Sequence, residues 1–296
     1  IEKARNPVTT GWAKIDKITK GGLGQGELVV VVAPTGAGKS HVLVHLGAQA
    51  LKQGKNVVHF TLELADTAVA QRYDACLTGI PLDELMNQKD EVFDVIKDID
   101  GQLIVKEFPT KSASTVTLKN HLEKIKQTEM EIDMIVVDYG DLLKSSTVRK
   151  NSEKRHELES IYEELRGLGQ EFGCPIVTAS QTNRKGLNEE VITMESISEA
   201  FNKCFVADFI ISLSRTIKDR NCNIARIFVA KNRNGPDGIV MPIHMDTSNV
   251  NIKILPKQPQ TGNNVVTNPV TLGPKEQSEL LKNKYTKLRS KRGIRQ

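Results

Sequence analysis

Cysteine is scarce and scattered in this chain of 296 residues: Cys76, Cys174, Cys204 and Cys222 never fall into a Cys-x-x-Cys pair. That spacing argues against a structural zinc site and against a disulfide framework, and suits a reducing cytoplasm. No apolar run approaches the roughly 20 residues of a membrane span. Ile1-Glu2-Lys3 does not open a secretory signal, so no membrane partner is expected. An initial Ile in place of Met points to an excerpt of a longer protein. Internal repeats are absent. A general positive charge is missing too. Nine Lys/Arg and two acids lie from Pro256 onward, so the tail carries +7 of a net +5 and the remainder about −2. Any nucleic-acid surface must therefore be a local patch. What is left is a soluble, globular composition, 39% hydrophobic and 26% charged, long enough for one large or two small domains.

Residues 33–40, Ala33-Pro34-Thr35-Gly36-Ala37-Gly38-Lys39-Ser40, are the most informative stretch. They follow the apolar run Leu28-Val29-Val30-Val31-Val32 and precede a helical apolar period that begins at His41. Strand, small-residue loop ending in Gly-Lys-Ser, and helix together make a phosphate-binding loop. Gly36 and Gly38 let the backbone curl so that successive N–H groups face phosphate oxygens. The helix N-terminus adds partial positive charge, Lys39 reaches the β/γ-phosphates, and the Ser40 hydroxyl ligates Mg²⁺. The chain is expected to bind a nucleoside triphosphate, ATP, along residues 33–41.

The remaining pattern alternates strands with helices. Strands are expected at residues 56–62, 103–108, 132–137 and 175–179, and helices at 67–78, 82–99, 114–127 and 152–172. A short helix near 195–204 precedes strands at 208–214, 225–230, 239–245 and 250–255. This order predicts an α/β fold, a mainly parallel sheet covered on both faces with an antiparallel C-terminal extension. Residues 256–296 are an extended Pro/Gly/Asn/Thr-rich linker and then a basic segment. Leu280, Leu281, Tyr285 and Leu288 would share one face if that segment were helical, and a solvated tail fits equally well.

Asp138 ends the apolar strand Met134-Ile135-Val136-Val137, where a carboxylate can hold the water shell of Mg²⁺ opposite Ser40. Glu63 and Gln181 end two further strands. The carboxyl ends of adjacent parallel strands share one crevice, so all three should converge near the γ-phosphate. A carboxylate there can polarise the attacking water, and an amide can sense the terminal phosphate. Lys231-Asn232-Arg233-Asn234-Gly235-Pro236 closes a later strand. Lys231 and Arg233 either neutralise transition-state charge, as arginine fingers do, or form a basic hairpin turn. Two loops offer contacts to a nucleic-acid backbone, one with Lys144, Arg149 and Lys150, the other with Arg184 and Lys185. Neither carries an aromatic platform for base stacking.

With those residues in place, the chain resembles the RecA-like motor domain of the DnaB-type replicative helicases over residues 10–255. Thr10-Gly11-Trp12 and Gly21-Gly22-Leu23 are similar to that family's leading segment, and residues 33–40 to its phosphate loop. Phe60-Thr61-Leu62-Glu63 is similar to its Ser-Leu-Glu motif, and Val136-Val137-Asp138-Tyr139 to its second nucleotide motif. Ser180-Gln181-Thr182-Asn183-Arg184 resembles its Ser-Gln-Leu-Asn-Arg motif, and Lys231-Asn232-Arg233-Asn234-Gly235-Pro236 its Lys-Gln-Arg-Asn-Gly-Pro motif. The resemblance implies a RecA-like ATPase core in a homohexameric ring around single-stranded DNA, moving 5′ to 3′ in a bacterial cell or phage-infected host. It implies Glu63 as the general base, and Lys231 and Arg233 reaching into the neighbouring subunit's ATP site. DNA-facing loops would lie at 144–151 and 184–196. Residues 1–9 would be a linker from an N-terminal region, and primase or a helicase loader would be the protein partners. One departure is the segment 195–204, which lacks the family's Ile-Glu-Gln-Asp-Ala-Asp pattern and keeps only Ala207-Asp208. RadA-like recombination ATPases and KaiC-like regulatory ATPases share the core. The former normally add a zinc finger and a protease-like domain, neither visible in the sequence. The latter carry tandem phosphate loops, and here there is one.

Overall fold

Residues 28–33, Leu-Val-Val-Val-Val-Ala, are aliphatic throughout, and the strand they form, β1 (Leu28–Ala33), is buried along its whole length. A strand apolar on both faces belongs in the middle of a covered parallel sheet, and β-branched side chains favour the extended backbone. The computed structural model describes residues 6–146, 154–182, 191–192 and 204–256. The chain divides into two compact units, Ile1–Pro256 and Lys257–Gln296, and all described residues belong to the first. The basic tail, read as either a helix or a solvated segment, lies outside the described residues, as does most of the short helix near 195–204.

The other strands are β2 (Val57–Thr61), β3 (Leu103–Glu107), β4 (Met134–Asp138), β5 (Ile176–Gln181), β6 (Phe209–Ser214), β7 (Ile224–Asn232), β8 (Val240–Asp246) and β9 (Asn251–Ile254). They join β1 in one sheet of order β3-β2-β4-β5-β1-β6-β7-β8-β9. The six strands β3 to β6 in that order run parallel, and β7, β8 and β9 add an antiparallel extension. The expected fold class is the one that forms.

The helices are α1 (Ala13–Ile18), α2 (Lys39–Lys52), α3 (Asp66–Thr78), α4 (Lys89–Ile96), α5 (Thr115–Lys126), α6 (Lys154–Phe172) and α7 (Ile217–Asn221). Helices α2 and α3 cover one face, where Val42, Leu46 and Tyr73 join Val29, Val31 and Val136 in a core. Helices α5 and α6 cover the other, where Leu118, Leu122, Ile161 and Leu165 meet Val30, Phe60 and Val137. The leading segment is pinned to the far end of the sheet. The Trp12 indole N–H donates to the Ile252 carbonyl at 3.0 Å, and its ring stacks on His45.

One expected helix is shorter than its apolar period. Residues 82–87 form turns and the helix begins only at Lys89. Leu82 N–H donates instead to the Ser248 carbonyl, which ties this stretch to the β8–β9 turn. Helix α7 was not expected. Five residues give no readable period, although Thr216 and Asp219 form a capping box, a signature the sequence does carry.

Candidate active site

Parallel strands bring their carboxyl ends to one edge, and the register shows which residues meet there. Ala33 is level with Gln181 across β1–β5, and Thr61 with Asp138 across β2–β4. The loop after β1 turns through two left-handed glycines, Gly36 at φ +73° and Gly38 at φ +107°. A Cβ on Gly38 would press on the flexible Met245 methyl at 2.2 Å, but it is the left-handed backbone at φ +107° that makes glycine the favoured residue there. Gly38 is also the N-cap of α2, fourteen residues long, which aims its positive end into the loop. Lys39 is buried, and its Nζ lies 3.5 Å from the Ala33 carbonyl and 3.4 Å from that of Pro34.

Asp138 is fully buried. Burial is the main influence on it and pushes its pKa up to about 6, opposed by the Ser40 hydroxyl and reinforced by the charge of Glu63. Neither carboxylate oxygen makes a hydrogen bond of good geometry among the described residues, although the Ser40 hydroxyl lies near enough to favour the charged form. An orphaned buried carboxylate facing a hydroxyl suits a hydrated divalent cation that would satisfy both. Among the described residues no cluster of three His, Cys, Asp or Glu forms a separate metal cage. Glu63 is exposed at the mouth of the site. Gln181 bridges the edge, with its amide N–H₂ donating to Thr35 Oγ1 at 2.6 Å and its Oε1 accepting from Tyr139 Oη at 3.2 Å.

Three arginines enter that no motif announced. Arg72, on α3, has its pKa lowered by burial against the pull of Asp138 and Glu63, so it sits among the carboxylates. Its position nine residues after Glu63, on a helix face next to buried Val69 and Tyr73, is the only sequence signal. Arg215 comes from the turn between β6 and α7, and Arg220 from α7 itself. With His41 and Asn223 they line a cavity of about 350 Å³ beside Gly36 and Gly38. Arg220 Nη2 lies 3.5 Å from where a Gly36 Cβ would be. Burial lowers the pKa of His41 to about 4, helped by Arg72 and Arg215, so its imidazole is neutral at physiological pH.

Lys231 and Arg233 lie elsewhere. Strand β7 runs antiparallel to β6 with Asn232 level with Phe209, which places both cations at the amino end of the parallel strands. Lys231 still belongs to β7, and Arg233 is one residue past its end. Lys231 Nζ donates to the Phe205 carbonyl at 2.5 Å and lies over the Phe205 ring. Arg233 Nη1 donates to Asp208 Oδ1 at 2.8 Å, and Arg166 Nε donates to Oδ2 of the same carboxylate at 3.0 Å. Asp208 also accepts from Leu28 N–H. Of the candidate nucleic-acid residues, Lys144 is exposed just beyond β4 on the phosphate-loop edge. Arg149, Lys150, Arg184 and Lys185 lie outside the described residues.

A parallel sheet with a glycine loop, buried lysine and orphaned aspartate at its carboxyl edge defines a phosphate-loop nucleotide-binding protein. Residues 7–249 match the model of the DnaB-like helicase C terminal domain, and the chain belongs to that family. It is 31% identical over 212 residues to the DnaB-like replicative helicase of Enterobacteria phage T4, covering 68% of this chain and 45% of that protein. Among solved structures, a DnaB-like replicative helicase solved to show its interactions with primase gives a TM-score of 0.70 at 16% identity, over 86% of this chain and 64% of that one. The RadB recombinase gives a lower TM-score of 0.54 at 15% identity, over 84% and 100%. At these identities the structural likeness is one of fold, the RecA-like ATPase fold. The chain spans about half the length of the curated relatives it matches.

Proposed function

We propose that this chain is the motor domain of a replicative DNA helicase, hydrolysing ATP between the subunits of a homohexameric ring and translocating 5′ to 3′ on single-stranded DNA to unwind duplex. Residues 33–41 would cradle the phosphates, with Lys39 on the β/γ-phosphates. Ser40 and Asp138 would hold Mg²⁺, which when bound neutralises charge on the β- and γ-oxygens. Glu63 would take the proton of the attacking water, and Gln181 would sense the terminal phosphate from its place against Thr35. Primase or a helicase loader would be the protein partner of the assembled ring.

The observation that carries this reading is the separation of Arg233 from the phosphate loop of its own chain. Strand β6 is six residues long, roughly 17 Å at about 3.3 Å per residue, and it stands between the Arg233 turn and the phosphate-loop edge. Arg233 cannot span that distance within its own subunit. It can meet a phosphate loop only on another copy of the chain, which favours a ring over a monomeric regulatory ATPase. Lys39→Ala and Arg233→Ala proteins should each be inactive as ATPases alone. Mixed, they form some interfaces with an intact Lys39 on one side and an intact Arg233 on the other, and activity should partly return. Mixed rings shown by mass but without recovered activity would refute action in trans. The DNA assignment has its own check: converting Lys144, Arg149 and Lys150 together to Ala should flatten the salt dependence of single-stranded DNA binding, by about 0.7 in log–log slope per lost phosphate contact. An unchanged slope moves the DNA path to Arg184 and Lys185.

A further inference from the structure

One carboxylate outside the nucleotide site collects hydrogen bonds from three separate elements. Glu164, half-buried on α6, accepts at Oε1 from Ser145 Oγ (3.1 Å) and Ser160 Oγ (3.0 Å). At Oε2 it accepts from Ser146 Oγ (2.7 Å), from Ser146 N–H (3.4 Å) and from the Thr115 hydroxyl at the start of α5. Charge-assisted hydrogen bonds of this kind are the stronger ones, and several on one acceptor fix its neighbours in place. Ser145 and Ser146 directly follow Lys144, whose own N–H donates to the Ala113 carbonyl at 2.9 Å. The exposed Lys144 side chain therefore leaves the sheet edge from a clamped backbone.

Two residues back on the same helix, Tyr162 is fully buried and its hydroxyl donates to Asp141 Oδ1 at 2.7 Å. Asp141 lies in the 3₁₀ turn that follows β4, and its Oδ2 accepts from Gln181 N–H at 3.0 Å. Gln181 in turn holds Thr35 of the phosphate loop. A polar chain thus runs from Thr35 through Gln181, Asp141 and Tyr162 into α6, and from Glu164 on α6 back to the Lys144 backbone.

We propose that Glu164 is the positioning residue for a DNA-contacting lysine, Lys144, and that α6, through Tyr162, links that position to the phosphate-sensing Gln181. The inference rests on the reading of Lys144 as a DNA contact. Nucleotide state and DNA grip would then be coupled through one helix, and coupling of this kind is reciprocal.

The test measures binding of a fluorescein-labelled oligo-dT to the full 296-residue chain by anisotropy, across a salt series, with and without a non-hydrolysable ATP analogue. Glu164→Ala should lower the log–log salt slope by about 0.7, the loss of one phosphate contact, as Lys144→Ala does, and leave DNA-free ATP hydrolysis unchanged. Glu164→Gln keeps an accepting oxygen and should restore the wild-type slope. Should Glu164→Ala fail to fold, the paired substitution Ser145→Ala and Ser146→Ala releases the clamp from the loop side and should give the same loss. Tyr162→Phe should keep the slope but lose most of the nucleotide dependence of DNA affinity, expected at about 5–150-fold in the wild type. A Lys144→Ala effect with wild-type behaviour for Glu164→Ala or the serine pair overturns the positioning role alone. Full nucleotide dependence in Tyr162→Phe overturns the link through α6. Wild-type DNA binding by Lys144→Ala overturns the DNA reading itself, and the proposal with it.

Discussion

The two edges of the parallel sheet hold their charges in opposite ways. At the carboxyl edge the buried Asp138 makes no hydrogen bond of good geometry at either oxygen among the described residues, and the Lys39 ammonium rests on carbonyls of its own loop. At the amino edge Asp208 is shared by Arg166, Arg233 and the Leu28 N–H, and its needs are met. An unsatisfied buried charge is costly unless something completes it, and a ligand carrying phosphate and a cation would suit the carboxyl edge. The amino edge is complete, yet it leaves Arg233 42% exposed and facing out of the subunit. On the proposed reading, one edge takes the nucleotide and the other presents the side chain that completes the site of a second copy.

The largest effect that would break this contrast is the loss of Arg233. Arg233→Ala should lower ATP turnover by about 10³–10⁵-fold, the weight attributed to arginine fingers, with ATP binding to isolated subunits retained. Turnover by the unaltered chain should also rise steeply with protein concentration as interfaces form. Near-normal turnover in Arg233→Ala would return the Lys231–Pro236 segment to the bland role of a basic turn.

Glu63 comes next. Glu63→Gln should bind ATP normally and hydrolyse it about 10²–10⁴-fold more slowly, as expected for loss of a general base. Arg72 bears on the same carboxylates from α3, so its removal sharpens the point. Arg72→Ala should impair hydrolysis in the Glu63-containing chain and have little further effect once Glu63 is Gln, because residues acting as a unit are not additive. Additive losses in the double variant, measured by single-turnover hydrolysis, would separate Arg72 from Glu63.

The carboxyl edge was largely legible in the sequence, and the amino edge was not. Gly36, Gly38 and Lys39 announce themselves because phosphate binding needs those residue types at fixed spacing. Asp138, Glu63 and Gln181 follow because an apolar run ending in a polar residue marks a strand end, and parallel strand ends converge. Where Lys231 and Arg233 lie depends on something periodicity does not report, namely that β7 returns antiparallel and carries them to the far edge. Arg215 and Arg220 reach the phosphate loop for a similar reason, delivered by a turn and the short helix α7, both distant in sequence. Tyr73 and His59 show a third limit. Their buried hydrogen bond, 2.9 Å long, needs Gly47 on α2, where a Cβ would come within 2.1 Å of the Tyr73 hydroxyl. Gly47 reads in the sequence as no more than a weak position in a helix.

The smallest expected effect tests the unsatisfied carboxylate itself. Asp138 holds its proton more tightly in the folded chain, with a pKa of about 6 against an ordinary 3.8. Its contribution to stability is therefore present in full below pH 3.8 and is lost as pH rises through 6. The buried imidazoles act in the other direction: His41 and His45, lowered to about 4, and His59, lowered to about 3, withdraw stability as pH falls through the same range. The whole-protein curve mixes both, so the Asp138 contribution must be read as a difference between two chains. Without nucleotide or Mg²⁺, the unfolding free energy of Asp138→Asn minus that of the unaltered chain should grow between about pH 4 and 6.5, by roughly 1–3 kcal/mol. Urea titrations at four or five pH values would measure it. Added Mg²⁺ and ATP should then stabilise the unaltered chain increasingly over that window as Asp138 ionises, and stabilise Asp138→Asn much less. A pH-independent difference between the two chains would mean that Asp138 is already ionised and satisfied before any ligand arrives, and the contrast between the two edges would be lost.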